Sequence, residues 1–407
     1  MPLFQGNLSG GCSKAIRHRL VLPTGYHNTR PTNATHTARG IFDRHTDKQT
    51  LNGVMKIVID DKIPYIREAI SRITDDAVYK KGAEINAQDV KDADALIVRT
   101  RTRCDEQLLR GSKVSFVATA TIGYDHIDTA YMQQAGIRWM NCPGCNASSV
   151  AQYVGAVLAL LQRDKGITLN QSTIGVVGCG HVGSKVAQVA RREGMKVLLC
   201  DPPRAEREGQ GHFVDLPTIA READIITFHV PLTREGNHTT WHLADQAFFN
   251  SLQRRPVVIN SSRGAVVDNH ALLHALIYNK VREAVVDTWE NEPRLLLPLL
   301  QRVWIGTPHI AGYSADGKVN ADNMVVEALC RHFNLPCPPR ITPPALPHPF
   351  TPSADPHTRL LQYYNPLADS QKLKQHPQAF EQLRGEYPVR REEQNTDFGQ
   401  KTCTIWD

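Results

Sequence analysis

The sequence predicts an α/β protein made of two doubly wound parallel-sheet domains followed by a small C-terminal element. Three observations predict it. From Met55 onward, the runs "KIVID", "DALIVRT", "VSFVATA", "TIGVVG", "KVLLCD", "IITFHV", "PVVIN" and "AVVDTW" alternate with segments of helical period, the pattern of parallel strands joined by crossover helices. The runs are continuously apolar instead of alternating, which requires burial on both faces. A chain of 407 residues with this many strands exceeds one compact sheet and one ordinary core.

Residues 1–54 hold no acidic residue before Asp43 and no sustained periodicity, so a disordered leader is expected. Without an amphipathic helix it reads as a non-native or dispensable leader ahead of Met55 more than as a transit peptide. Residues 55–149 form the first domain. A long helix, "ASSVAQYVGAVLALLQR", then bridges to the second domain, 150–308. The segment "VNADNMVVEALCRHF" has apolar positions at three- and four-residue intervals. It is expected to pack back on the first domain, which 309–334 would complete. Residues 335–356 are a proline-dense linker, where helix and central strand are excluded. The last stretch, 357–407, is too short to bury a large core alone and reads as an accessory or dimerisation element.

The net charge of +6 comes from 47 basic residues scattered among 41 acidic ones, which argues against a nucleic-acid footprint and suits a small anionic substrate. Nine cysteines without framework spacing fit reduced thiols in the cytoplasm. Cys142 and Cys145 form a C-x-x-C pair that lacks a second pair to complete four zinc ligands, so no metal site is expected. The apolar run "VGAVLALL" stops at Gln162 and Arg163, short of a membrane span.

The strongest local signal is "STIGVVGCGHVGSKVAQVARREGMKVLLCD". Gly178, Gly180 and Gly183, with His181 and Val182 between them, make a G-x-G-x-x-G turn between strand and helix, and the next strand ends in Asp201. That order is the Rossmann-like dinucleotide fingerprint. Gly178 permits the tight turn, Gly180 admits the pyrophosphate, and Gly183 lets helix and strand pack closely. Asp201 would bind the adenosine ribose and repel a 2′-phosphate, which favours NAD, while Arg204 and Arg207 nearby weaken that preference.

A nicotinamide cofactor needs a substrate clamp and a proton carrier from the protein. Three later segments supply candidates, each directly after an apolar strand: "NSSRGAVVD" with Arg263, "DTWENEP" with Asp287, Glu290 and Glu292, and "TPHIAGYS" with His309. Guanidinium geometry suits a two-point hold on a 2-hydroxy acid. Histidine titrates where a base for its hydroxyl is needed, and a carboxylate on the far ring nitrogen would fix the tautomer. Taken singly, each residue also reads as a surface turn, a solvated charge or a structural histidine; their joint placement after a dinucleotide fold favours chemistry.

The order of glycine fingerprint, Arg-Gly-Ala-Val-Val-Asp, Trp-Glu-Asn-Glu-Pro and Pro-His-Ile-Ala-Gly resembles the D-isomer-specific 2-hydroxyacid dehydrogenases. "TATIGYDHID", "PGCNASSVAQYV", "HIAGYSADGK" and "YPVRRE" are similar to a branch acting on a phosphorylated 2-hydroxy acid, 4-phospho-D-erythronate, in pyridoxal phosphate biosynthesis. The resemblance implies catalytic roles for Arg263, Glu292 and His309. It implies cofactor contacts at Asp201, Val230, Ser261, Ser262, Arg263, Asp287 and Gly312, and substrate contacts at Thr100, Thr121 and Tyr313. It also implies a homodimer, although "EQNTDFGQKTCTIWD" is unlike the family's usual ending and suggests a shortened dimerisation domain. Arg99 and Arg101, flanking Thr100, are candidate partners for phosphate or carboxylate. Two other readings fit the trio: a phosphoglycerate or simple 2-hydroxyacid dehydrogenase, and an NADH-sensing binding protein.

Overall fold

The computed structural model describes residues 55–393. The expected leader, 1–54, and the chain after Glu393 lie outside the described residues. The first sheet holds β1 (Ile57–Asp60), β2 (Ala77–Lys80), β3 (Ala95–Val98), β4 (Phe116–Thr119) and β5 (Arg138–Met140), parallel in the order β2-β1-β3-β4-β5. The second holds β6 (Thr173–Val177), β7 (Lys196–Cys200), β8 (Ile225–Phe228), β9 (Val257–Asn260), β10 (Glu283–Val286) and β11 (Ile305–Gly306), in the order β11-β10-β9-β8-β6-β7. Every pair in it is parallel. Both sheets reverse direction of growth beside their first strand, which opens a crevice at the strand C-termini.

The central strands β1, β3, β4, β6, β8 and β9 are buried along their whole length, as continuous apolar runs require. Two strands had no sequence expectation, β2 and β5, and the apolar strand expected before His309 is the short β11. β2 and β5 are edge strands of mixed exposure, and β11 has only two residues.

The helix Ala147–Lys165 is buried on nearly every residue from Ala147 to Leu161 and ends at Gly166 in the left-handed region. A helix apolar all round sits inside, not on a surface. Helix Ala315–His332 returns to the first sheet, where Ala321, Val325 and Leu329 share a core with Ile57, Ile59 and Phe116. After the proline-rich stretch, helices Pro356–Tyr363, Pro366–Gln375 and Phe380–Gly385 follow. Leu373, Phe380 and Tyr364 from this element complete the cores around the second sheet. The C-terminal segment therefore borrows its core from the second domain.

Asp322, on the returning helix, is 1% exposed and accepts a hydrogen bond from the Tyr65 amide at 3.1 Å. Burial pushes its pKa up to about 7, against that bond and the charges of Arg99 and Lys318, which pull it down. The folded pKa lies above the unfolded one, so the native state holds more protons between these values. Its stabilising contribution is present below the unfolded pKa and is lost as pH rises through 7. Asp322→Asn should therefore stabilise the protein at pH 8 by on the order of 2–4 kcal/mol and have little effect at pH 4. Urea unfolding at both pH values checks this; the same shift at both would contradict it.

Candidate active site

Gly178 ends β6 at φ +89, and a Cβ there would lie 2.6 Å from the His229 carbonyl oxygen. At Gly183 a Cβ would fall 1.9 Å from the Gly178 carbonyl oxygen, so the helix start packs on the turn too closely for any side chain. A Cβ at Gly180 would meet nothing within 4 Å. Gly180 caps helix His181–Arg192 without a side-chain bond, so the first-turn amides of His181 and Val182 have no such partner and suit a phosphate. The Val230 side chain, after β8, closes over Gly178, and the His181 ring rests against Gly144. This cradle fits a dinucleotide pyrophosphate.

Asp201 ends β7, and its carboxylate accepts bonds from the amides of Cys179 (2.8 Å) and Arg204 (3.0 Å). Arg204 was expected to weaken a preference for NAD. Instead its buried guanidinium binds the Cys179 carbonyl at 2.6 Å and Glu208 at 2.8 and 2.5 Å. It is already engaged, whereas Arg207, the other cation of that expectation, is exposed.

Arg263 follows β9 on a turn in which the Asn260 side chain binds both Ser262 and the Arg263 carbonyl. Its Nη1 donates to the Ser262 carbonyl at 2.9 Å, and its Nη2 lies 3.0 Å from where a Gly123 Cβ would stand. That brings the clamp from the second domain against the Thr121–Gly123 loop of the first. The Ser261 hydroxyl is buried with no partner. His309 meets Glu292 through Nδ1, at 2.8 and 3.2 Å from the two carboxylate oxygens. Burial pushes the Glu292 pKa up, but the His309 bond and charge, the Trp289 amide and the Arg384 charge outweigh it and hold the pKa below the usual range. An ionised Glu292 only accepts, so Nδ1 is the nitrogen that carries a hydrogen, and in the neutral ring the lone pair is then on Nε2.

The other two carboxylates of "DTWENEP" do different work. Glu290 binds His242 at 2.7 Å and the Asn269 amide at 2.9 Å. Asp287, 1% exposed, braces the loop that carries His309. One carboxylate oxygen accepts from the Thr307 hydroxyl (2.6 Å) and the Ile310 amide (2.8 Å), the other from the Ala311 amide (3.0 Å). Its carbonyl takes the His309 amide at 2.8 Å. His309 has φ +56, a conformation that costs a non-glycine residue energy and persists where neighbours over-determine it. Asp287, implied above as a cofactor contact, thus spends both oxygens on the loop. At Gly312 a Cβ would fall 2.1 Å from the Asn146 Nδ2.

Sequence reasoning missed the residues that lock this loop from behind. Tyr153 binds Thr307 at 2.9 Å. Arg390, 4% exposed, donates to the Ala311 carbonyl at 2.6 Å, and its own carbonyl takes the Ala315 amide. Glu392 accepts from Ser149 (2.7 Å) and Ser314 (2.8 Å), and Arg391 pairs with Asp316 at 2.9 Å. The quoted "YPVRRE" was a resemblance without a role; here it knits both domains to the His309 loop.

On the substrate side, Arg99 follows β3 and donates to Asp60, at the end of β1, at 3.3 Å. Thr100 is exposed and, among the described residues, makes no side-chain hydrogen bond. Thr121 donates to the Gly123 carbonyl at 2.9 Å. Arg101 is taken by Glu381 at 2.5 Å. The Tyr313 ring has the Lys318 ammonium 5.1 Å and the Arg384 guanidinium 5.6 Å from its centroid. Cys142 and Cys145 are buried, and burial pushes the Cys145 thiol up to about 12 and Cys142 higher still, so neither is a thiolate at neutral pH. No group of three His, Cys, Asp or Glu side chains able to hold a metal occurs among the described residues, and none of their helices is long and apolar enough to cross a membrane.

Residues 149–311 match the family profile described as D-isomer specific 2-hydroxyacid dehydrogenase, NAD binding domain. An erythronate-4-phosphate dehydrogenase of Bacteroides fragilis is 56% identical over 83% of this chain and 97% of its own length. One from Porphyromonas gingivalis is 41% identical over 83% of this chain and 94% of its own. Among solved structures, an Aquifex aeolicus D-lactate dehydrogenase with NAD and lactic acid has TM-score 0.58 and 25% identity, covering 69% of this chain and 96% of its own. An NAD-bound 3-phosphoglycerate dehydrogenase of Entamoeba histolytica has TM-score 0.59 and 26% identity over 69% and 96%.

Proposed function

Because this chain belongs to the D-isomer-specific 2-hydroxyacid dehydrogenases and is an NAD-dependent enzyme of that family, we propose that it oxidises 4-phospho-D-erythronate to 2-oxo-3-hydroxy-4-phosphobutanoate, a step of pyridoxal phosphate biosynthesis. The observation that carries the chemistry is the His309–Glu292 hydrogen bond, together with Arg263 held by the Ser262 carbonyl against the Gly123 loop; the similarity to erythronate-4-phosphate dehydrogenases over most of the chain supports the substrate.

Bound NAD supplies a hydride acceptor for the C2 hydrogen. The protein does the rest. Arg263, held by the Ser262 carbonyl, presents a planar donor fork to the carboxylate and the C2 oxygen of the substrate. His309 Nε2 takes the proton of the C2 hydroxyl as the carbonyl forms. Glu292 stabilises the resulting imidazolium through Nδ1. Thr100, Thr121 and Tyr313 line the substrate side, and Gly178 to Gly183, Asp201, Val230, Ser261, Ser262 and Gly312 line the dinucleotide side. The C-terminal element serves as a dimerisation domain of a cytoplasmic homodimer in the same reading.

The test is a substrate panel: 4-phosphoerythronate, 3-phosphoglycerate and lactate in parallel, followed by nicotinamide absorbance. A 2-oxo acid acceptor and product analysis are included so that retained cofactor does not mask turnover. Preference for 4-phosphoerythronate is expected. Turnover of another 2-hydroxy acid alone would keep the trio and overturn the substrate, while tight NADH binding without turnover of any would favour a sensor.

A further inference from the structure

The molecule carries two cations against one aromatic ring. Lys318 comes from helix Ala315–His332 and Arg384 from helix Phe380–Gly385, and both lie within 6 Å of the Tyr313 ring centroid. Among the described residues no carboxylate lies within ion-pairing distance of either, and the Arg384 Nε is buried without a hydrogen-bond partner. An aromatic face offsets only part of the repulsion between like charges.

The surroundings sharpen the imbalance. Burial lowers the Lys318 pKa, and the charges of Arg99 and Arg390 lower it further, with Asp322 opposing them. Asp322 is itself lifted to about 7 by burial, so near neutrality it supplies less than a full counter-charge. Arg99 has its own acidic neighbour, Asp60. Tyr313 follows His309 by four residues on the same segment, and the Arg384 charge also helps lower the Glu292 pKa.

We propose that Lys318 and Arg384, flanking Tyr313 with Arg99 close by, bind the phosphate of the substrate and are the specificity-determining residues of the site; this rests on the phosphorylated substrate read above. A phosphate monoester carries about −1.5 to −2 near pH 7, which matches the two unpaired cations. Arg263 remains for the carboxylate end. The assignment also gives the C-terminal helices a part in recognition, since Arg384 reaches the site from them.

The experiment compares wild type, Lys318→Gln, Arg384→Gln and the double variant on 4-phosphoerythronate and on unphosphorylated erythronate, with inorganic phosphate as competitor. Each single change should raise KM for 4-phosphoerythronate by about 10–100-fold with a smaller change in kcat, and Lys318→Gln, which has no part in the His309–Glu292 pair, should leave kcat/KM on erythronate within about threefold, the size of effect expected where no contact is lost. Inorganic phosphate should compete in wild type and lose that effect in the double variant, a readout that survives if erythronate turns over too slowly. Lys318→Arg should restore part of the KM. A wild type that favours the phosphorylated acid while both variants keep the preference and the phosphate inhibition would overturn this site alone. A wild type indifferent to the phosphate would overturn the substrate reading and the site with it.

Discussion

His309→Asn should lower kcat by about 10²–10⁴, the usual contribution of a positioned acid/base group, while NADH affinity stays near the wild-type value. Asparagine tolerates positive φ better than most residues, so it can occupy the φ +56 position without dislodging the loop that Asp287 holds. It cannot take a proton from the C2 hydroxyl. The removed ring also leaves Glu292 without the bond and charge that hold its pKa down, so burial and the remaining neighbours would then decide it. Stopped-flow turnover and NADH fluorescence titration separate the two effects. Unchanged kcat would remove His309 from proton transfer, and a large loss of NADH affinity would mean that the cofactor site depends on the ring.

Arg263→Lys should cost about 10²–10³ in kcat/KM, as expected for losing a preorganised donor to a developing charge. The charge is kept, so only geometry changes. An ammonium cannot present two parallel donors or span from the Ser262 carbonyl to the Gly123 loop as the guanidinium does. The loss should fall on both kcat and KM for the hydroxy acid and spare NADH. Steady-state kinetics with saturating NAD check this, and near-wild-type values would sink the clamp.

The fold was legible where burial was complete. β1, β3, β4, β6, β8 and β9 announce themselves as unbroken apolar runs, and the glycine spacing after β6 states the cofactor class. β2 and β5 were missed because an edge strand of mixed exposure has no such run. Arg263, Glu292 and His309 were legible because each follows a buried strand. Tyr153 and Arg390 were not, since their partners lie 154 and 79 residues away and only tertiary folding joins them. Arg204 was expected, with Arg207, to weaken a preference for NAD, although Glu208, four residues on, is at the helical spacing for its ion pair. Residue type and spacing alone left Glu290 beside Glu292 on one short loop; the family resemblance pointed to Glu292, and the distances to His309 and His242 separate the two.

The central claim is that this cleft moves hydrogen from C2 of a phosphorylated 2-hydroxy acid to NAD, with His309 taking the hydroxyl proton. The most direct measurement is a single turnover of wild type with 4-phosphoerythronate carrying deuterium at C2, followed by isolation of the reduced nicotinamide. One deuterium is expected on the nicotinamide ring, together with a 2-oxo acid that has lost it. Reduced cofactor free of deuterium, or deuterium washed into water, would contradict the claim.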